Sequence, residues 1–236
     1  MMDNVINFKT AEGIRQDLQE KIDHLTYEQE IPKFKRIPRH VGVIPDGNRR
    51  WALNCGLQKK DGYKYGLDPG FHLYELCKDL GVEELTLYGF TVDNTKRPAD
   101  QKVAFQQACV DAVLQLTDKD AELLVVGNAE SPCFPEELKP FLTRTKFGSG
   151  GIKVNFLVNY GWDWDLMHED GLASKDISRM DIIMRWGGHR RLSGFLPVQS
   201  VYADIFVLEE YWPEFTPEQF FRGLKWYQDL DQTLGG

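Results

Sequence analysis

The apolar positions of this chain follow two rhythms. Short continuous runs such as Val41-Gly42-Val43-Ile44 have the length and composition of buried strands, and between such runs apolar residues recur every three or four positions, as on one face of a helix. Read in order, the runs predict strands at 41–44, 84–91, 122–127, 152–159, 180–185 and 202–208. A helix is predicted from Pro69, with Asp68 as its cap and Phe71, Leu73, Leu76 and Cys77 inward, ending at Gly81. A second spans 99–116, with Val103, Val110, Val113 and Leu114 on one face, and a third spans 135–146. A closing helix follows the Trp212–Glu218 loop. Residues 1–37 are polar, with helical spacing at Ile14, Leu18, Ile22 and Leu25, and read as an N-terminal extension of helix plus linker. Strands alternating with amphipathic helices predict an α/β fold over 38–236: a single domain with a central, mostly parallel sheet of about six strands surrounded by helices.

Composition narrows the function classes. The 236 residues suit one α/β domain, and a hydrophobic fraction of 42% is enough for a full core. A net charge of -8 speaks against a nucleic-acid binder but leaves room for an anionic small substrate at a local basic cluster. Four scattered cysteines, with no CxxC, read as reduced thiols rather than a zinc site or disulfide framework. No apolar run has the length of a membrane span, and the polar N-terminus is no signal peptide, so a soluble, cytoplasmic protein is expected, with at most peripheral membrane contact.

The candidate chemistry collects where strands end. The first strand runs directly into Pro45-Asp46-Gly47-Asn48-Arg49-Arg50-Trp51, a tight turn that delivers an aspartate, a glycine and two arginines together. Asp suits a hard cation such as Mg2+, glycine lets backbone N–H groups approach a phosphate, and arginine pairs with phosphate oxygens. The same residues also suit a plain strand–turn–helix corner with Asp as a cap. Asn94 and Arg97 follow the second strand, and Arg185, Gly187, Gly188, His189, Arg190, Arg191 and Ser193 follow the strand at 180–185. In parallel sheets ligands bind beyond the carboxyl ends of the strands, so three such ends carrying Arg toward one rim point to a diphosphate. Asp204 is a second carboxylate for a metal; its plainer reading is a strand-edge acid facing water. His189 reads as a hydrogen-bonding loop residue.

In series, His40…Asp46-Gly47-Asn48-Arg49-Arg50-Trp51, Gly62-Tyr63-Lys64-Tyr65-Gly66, Leu85…Asn94…Arg97-Pro98, Asn159-Tyr160-Gly161, Arg185-Trp186-Gly187-Gly188…Arg191-Leu192-Ser193 and Tyr202-Ala203-Asp204…Trp212-Pro213-Glu214-Phe215 resemble the cis-prenyltransferases of the undecaprenyl diphosphate synthase type. The resemblance covers about residues 38–236. It implies a homodimeric, Mg2+-dependent enzyme with an apolar tunnel for the growing prenyl chain. Its substrates would be isopentenyl diphosphate and an allylic partner such as dimethylallyl, geranyl or farnesyl diphosphate. By position, Asp46 corresponds to the metal-binding aspartate, and Gly47, Asn48, Arg49, Arg50, Trp51, Lys59 and Tyr63 fall around the allylic diphosphate. Asn94 and Arg97 correspond to the loop that positions the condensing pair. Arg185, Arg191 and Ser193 correspond to the homoallylic diphosphate site, and Asp204 stands where the family has a glutamate near the metal.

The chain departs from that pattern in places. Pro45 and Arg49 replace the usual Met and Gly, Tyr63 replaces a histidine, and Thr95 replaces a tryptophan. The interval from Asn159 to Arg185 is short, and the tail Gln232–Gly236 lacks the family's arginines before Gly-Gly. Pro45, Arg49, Asp61-Gly62-Tyr63 and Phe195-Leu196-Pro197 resemble the lavandulyl and cyclolavandulyl branch, which joins dimethylallyl units head-to-middle. Three expectations follow: regular condensation to a short or medium cis-prenyl diphosphate, irregular coupling on the same scaffold, and a non-catalytic relative. Intact Asp46, Asn94, Arg97 and Ser193 speak against the last.

Overall fold

The computed structural model describes residues 31–169 and 171–231; the helix expected around Ile14 to Leu25 and the tail Gln232–Gly236 lie outside the described residues. In chain order it comprises β1 (His40–Ile44), α1 (Asn48–Asn54), a 3-10 stretch (Lys59–Gly66), α2 (Leu67–Asp79), β2 (Glu84–Tyr88), a 3-10 turn (Val92–Lys96), α3 (Ala99–Leu114) and β3 (Ala121–Val126). Then follow β4 (Thr145–Phe147), β5 (Ile152–Leu157), α4 (Trp162–Leu166), β6 (Ile182–Arg185), β7 (Asp204–Val207) and α5 (Pro217–Gln228). The seven strands form one sheet in the order β4-β3-β5-β2-β1-β6-β7, parallel throughout except β4, which runs antiparallel to β3. This is the single α/β domain expected, with one strand more.

That extra strand corrects the helix predicted at 135–146. Only a 3-10 turn forms there, Glu136–Phe141, with Pro140 inside it. Proline brings no N–H and crowds the preceding turn, so a long helix is not sustained, and Thr145–Phe147 pairs with β3 instead. Asp68 does not cap α2 either: the helix begins at Leu67, and Pro69 falls within the first turn, where its missing N–H costs nothing. The inward face of α3 also differs. Val110 and Val113 are buried, but Val103 and Leu114 are exposed. The helix instead turns Phe105, Ala108, Cys109 and Ala112, an i, i+3, i+4, i+7 stripe, toward an internal cavity.

Both sheet faces are covered, which is why the strands read as continuous apolar runs. Period two sends Leu123, Val125 and Phe156 into the core under the helices, and Leu124, Val126 and Leu157 into a second core with Ile44, Ile183, Phe195 and Leu196. From the N-terminal ends of the strands to their middle runs a buried polar network. His40 Nε2 is 2.8 Å from Thr86 Oγ1, and Glu84 accepts hydrogen bonds from Asn155 Nδ2 at 2.7 Å and Ser178 Oγ at 2.5 Å. Arg144 Nη2 donates to Asn155 Oδ1 at 2.8 Å. At the opposite ends, the loops after β1, β6 and β7 are tied together: Trp212 N donates to Asp46 O, Gly187 N to Glu210 O, and Gly188 N to Leu208 O.

Candidate active site

The turn after β1 is shaped by what surrounds Gly47. Its φ of 101° lies in the left-handed region, and a Cβ there would come 2.5 Å from the Tyr211 ring. The chain therefore passes close under Tyr211 and starts α1 without a side-chain cap, contrary to the capping reading of Asp46. The Asp46 carboxylate turns to the rim. Its Oδ1 accepts the Gly47 N–H at 2.6 Å and lies 3.4 Å from Arg50 Nη2, while Oδ2 accepts from Arg185 Nη2 at 2.9 Å. Burial alone would raise its pKa. The Arg185 hydrogen bond, the Gly47 N–H and the charges of Arg185 and Arg50 outweigh that and hold it below the usual carboxylate value, so it is ionised at neutral pH.

Arg185 is the last residue of β6, opposite Ile44, and is 3% exposed. Its Nη1 donates to the Arg191 carbonyl and to Ser193 Oγ, the latter at 3.1 Å. Arg50 lies over the Tyr211 ring at 5.0 Å. Even so, Arg185 Nε, Arg50 Nη2 and Asn48 Oδ1 are buried without a hydrogen-bond partner. Buried donors without partners are uncommon, and two guanidinium N–H groups around one carboxylate are the chemistry of an anion site.

A second cation stands beside this group. Arg97 Nη1 donates to the Tyr63 hydroxyl at 2.8 Å, and its guanidinium lies over Tyr63 and Phe105 at 5.9 and 5.3 Å. Burial lowers its pKa from the usual arginine value, with Arg49 among the charges adding to that and Asp46 among those opposing it. Behind Tyr63 opens an apolar cavity with an empty volume of about 750 Å3, its mouth included. Leu67, Gly70, Phe71 and Tyr74 of α2 line one wall, the α3 stripe another, and Leu87, Tyr88 and Phe156 of the sheet a third, with Asn48 and Trp212 near the polar rim. An apolar cavity whose lining rings Tyr63 and Phe105 also carry the Arg97 guanidinium suits a ligand with a hydrocarbon body and an anionic head.

Most of the residues singled out in the sequence meet here, but not all. Asp204 does not join Asp46. It begins β7 opposite Ile182, while Arg185, three residues on, marks the rim, so Asp204 sits about 10 Å below it at 3.3 Å per residue. Trp51 is buried against Tyr65 at 4.8 Å between ring centres and is not among the cavity-lining side chains. Lys59 is exposed at the start of its 3-10 stretch, and Arg191 contributes its backbone carbonyl while its side chain faces solvent. Asn94 Oδ1 accepts from Thr91 N at 3.1 Å, closing the turn that carries Arg97. Arg49 Nη1 reaches Gln101 Oε1 at 3.4 Å. His189 lies in the rim loop, its pKa lowered by burial and by Arg191, Arg50 and Arg185 against the pull of Asp46. Tyr211 and the cavity stripes of α2 and α3 were not singled out; the stripes were readable as helical spacing, whereas nothing local to Tyr211 marks it.

Comparison with known proteins agrees with this geometry. The undecaprenyl diphosphate synthase family model matches residues 44–170 and 167–235. An isoprenyl transferase of Thermotoga maritima is 31% identical over 234 residues, covering 85% of this chain and 98% of its own, and one of Chromobacterium violaceum is 28% identical over 230 residues, covering 87% and 91%. A crystal structure of lavandulyl diphosphate synthase from Lavandula x intermedia in complex with dimethylallyl diphosphate matches with a TM-score of 0.74 at 20% identity, over 84% of this chain and 98% of that one. The family match and these relatives identify a prenyl transferase on this fold. This chain belongs to the undecaprenyl diphosphate synthase family.

Proposed function

We propose that this chain is a Mg2+-dependent cis-prenyltransferase that condenses isopentenyl diphosphate with an allylic prenyl diphosphate to a short or medium product. The observation that supports it most is an ionised Asp46 between two arginines, in the turn whose Pro45 and Asn48 line an apolar cavity. The residues present fit Mg2+. Among the described residues no group of three acidic, His or Cys side chains forms a self-sufficient metal cage. Mg2+ commonly takes one or two carboxylates and completes its shell with water and phosphate oxygens, so Asp46 beside a diphosphate is a suitable donor set. Bound there, Mg2+ would neutralise charge developing on the departing diphosphate.

The chain's own groups do the rest. Arg50, Arg97 and the backbone around Gly47 and Asn48 hold the allylic diphosphate. Arg185, Ser193 and Arg191 hold the second diphosphate, and Arg185 also fixes the Asp46 carboxylate. Asn94, whose side-chain carbonyl is engaged in its own turn, keeps its NH2 group for substrate. Preorganised donors of this kind act without reorganisation when charge shifts to the leaving group. The cavity wall keeps water from the reacting carbons. The second diphosphate site also fits a head-to-middle coupling of two dimethylallyl units. Supporting that reading, Tyr63 and Arg49 stand at the same point of the cation cluster. The same proposal includes a cytoplasmic homodimer. Near β7, the last strand of the sheet among the described residues, Val198, Val201, Tyr202 and Ile205 are exposed, and no described helix is long and apolar enough to cross a membrane.

The test is incubation with Mg2+, isopentenyl diphosphate and each allylic diphosphate, with dimethylallyl diphosphate alone in parallel, and mass measurement of the dephosphorylated product. A product only in the mixed tubes is expected. A product only from dimethylallyl diphosphate alone would replace condensation by irregular coupling, and full turnover in EDTA would remove the metal.

A further inference from the structure

Tyr63 meets Arg97 in a way that its own position does not require. The 3-10 stretch from Lys59 to Gly66 packs closely on α1: a Cβ at Gly62 would fall 2.1 Å from the Asn48 carbonyl oxygen, so only glycine lets the next residue reach this depth. The Tyr63 ring then stacks on Phe105 of α3, with centroids 4.4 Å apart and planes 4° from parallel. Its hydroxyl, the only polar group of the side chain, accepts from Arg97 Nη1 at 2.8 Å. The half-buried Arg97 has this neutral phenol where a carboxylate would neutralise it; Asp46 pairs with Arg50 and Arg185 instead.

We propose that Tyr63 is a positioning residue for Arg97. Its ring, clamped on Phe105, fixes the hydroxyl, and the hydroxyl fixes the guanidinium over these two cavity-lining rings, leaving the cation's full charge for an incoming diphosphate. A carboxylate in place of the phenol would hold Arg97 as firmly but would neutralise it; an aliphatic residue would leave the long side chain mobile. The same ring lines the cavity, so one side chain joins the wall that meets the hydrocarbon to the cation that meets the head group. This inference rests on the prenyl diphosphate reading and names how one of its cations is held.

The experiment is a double-mutant cycle read by the affinity for inorganic pyrophosphate with Mg2+, by calorimetry, in the wild type, Tyr63→Phe, Arg97→Ala and the double variant. Tyr63→Phe keeps the stack and removes only the hydroxyl. It should weaken binding about tenfold, the usual scale of a hydrogen bond to a charged group, and should add no further loss once Arg97 is alanine. Phe105→Leu, which loosens the clamp and spares the hydroxyl, should weaken binding by a smaller factor and again only while Arg97 is present. Thermal melts of each variant separate these effects from misfolding. Unchanged affinity in a folded Tyr63→Phe would overturn the proposal. So would losses that simply add in the double variant, which would mean that Tyr63 touches the ligand itself. A wild type that binds no pyrophosphate and makes no prenyl product would overturn the prenyl diphosphate reading, and this inference with it.

Discussion

From the N-terminal ends of the parallel strands to their middle, His40, Glu84, Thr86 and Asn155 are all buried, and every polar side-chain atom among them has a partner. At the C-terminal ends Arg185 Nε and Asn48 Oδ1 are buried without a hydrogen-bond partner, and Arg50 Nη2 has only its ion pair with Asp46 at 3.4 Å. The same sheet thus buries charge twice, to different ends. Burying an unpaired donor costs on the order of 1–3 kcal/mol, a cost the lower network avoids and the rim accepts. A closed network specifies packing and register. An open one is shaped to receive what completes it, and here the orphan groups are mostly cationic, so the complement is an anion. Among the described non-glycine residues with positive φ, Asn159 directly follows β5 and Ser193 holds Arg185 at the rim, and neither belongs to the lower network.

Substitutions at the two ends should therefore separate activity from stability. The largest expected effect is at the rim. Asp46→Asn keeps the shape and an acceptor for Arg185 but removes the charge, and turnover should fall about 10^3-fold, or roughly 4 kcal/mol of transition-state stabilisation, while the protein, its melting temperature lowered by the lost Arg185 pairing, stays folded at the assay temperature. Steady-state kinetics beside a thermal melt would check it; near-normal turnover would sink the assignment of Asp46. Glu84→Ala should do the reverse. It strands Asn155 and Ser178 donors and the Arg144 charge 4.0 Å away, at a cost of about 2–4 kcal/mol. Denaturant unfolding should show that loss while KM and turnover per folded molecule stay put. A large kinetic defect in folded Glu84→Ala would mean that the two ends are coupled.

How much of this contrast was readable beforehand depends on the kind of signal. Continuous apolar runs are insensitive to register, so β1, β2, β3, β5 and β6 and their parallel arrangement followed from pattern. The Asp46 turn was legible because its residue types serve one chemistry within six positions. Side-chain direction was not. Asp204 carries the right functional group, but only the pairing of β7 with β6 shows that it begins its strand and so lies at the wrong end. Trp51 adjoins Arg50 in sequence, yet the helical turn sends it into the core. On α3 the apolar spacing pointed to Val103, Val110, Val113 and Leu114 as the inward face and passed over Phe105, Ala108, Cys109 and Ala112, whose small residues are what leave room for a cavity. The lower network was invisible for a related reason: His40, Glu84 and Asn155 come from three strands, and nothing local announces that they meet.

The smallest expected effect is a pH dependence that belongs to the lower end. Burial holds His40 below the ordinary 6.5, against the attraction of Glu84, the carbonyls of Ser178 and Arg179, and Asp181, so the folded protein keeps its imidazole neutral. Protons then bind the unfolded chain more readily than the folded one. This contribution is complete above about pH 6.5 and is lost as pH falls from 6.5 toward the lower folded value. The carboxylates Asp46 and Glu84, held below 3.8 and 4.5, lose their contributions only in more acid solution, so they leave the window from pH 6.5 to 5 clear. His189 shifts in the same direction but sits at the open rim, where solvent screens it. Melting temperature should accordingly decline from pH 7.5 to 5.5 in the wild type and in His189→Gln, and decline less in His40→Gln, whatever the absolute stability of that variant. The slope is the informative quantity, because removing a buried hydrogen-bonding side chain lowers stability at every pH. An unaltered slope in His40→Gln would place the acid sensitivity elsewhere and leave the closed network without a titrating member.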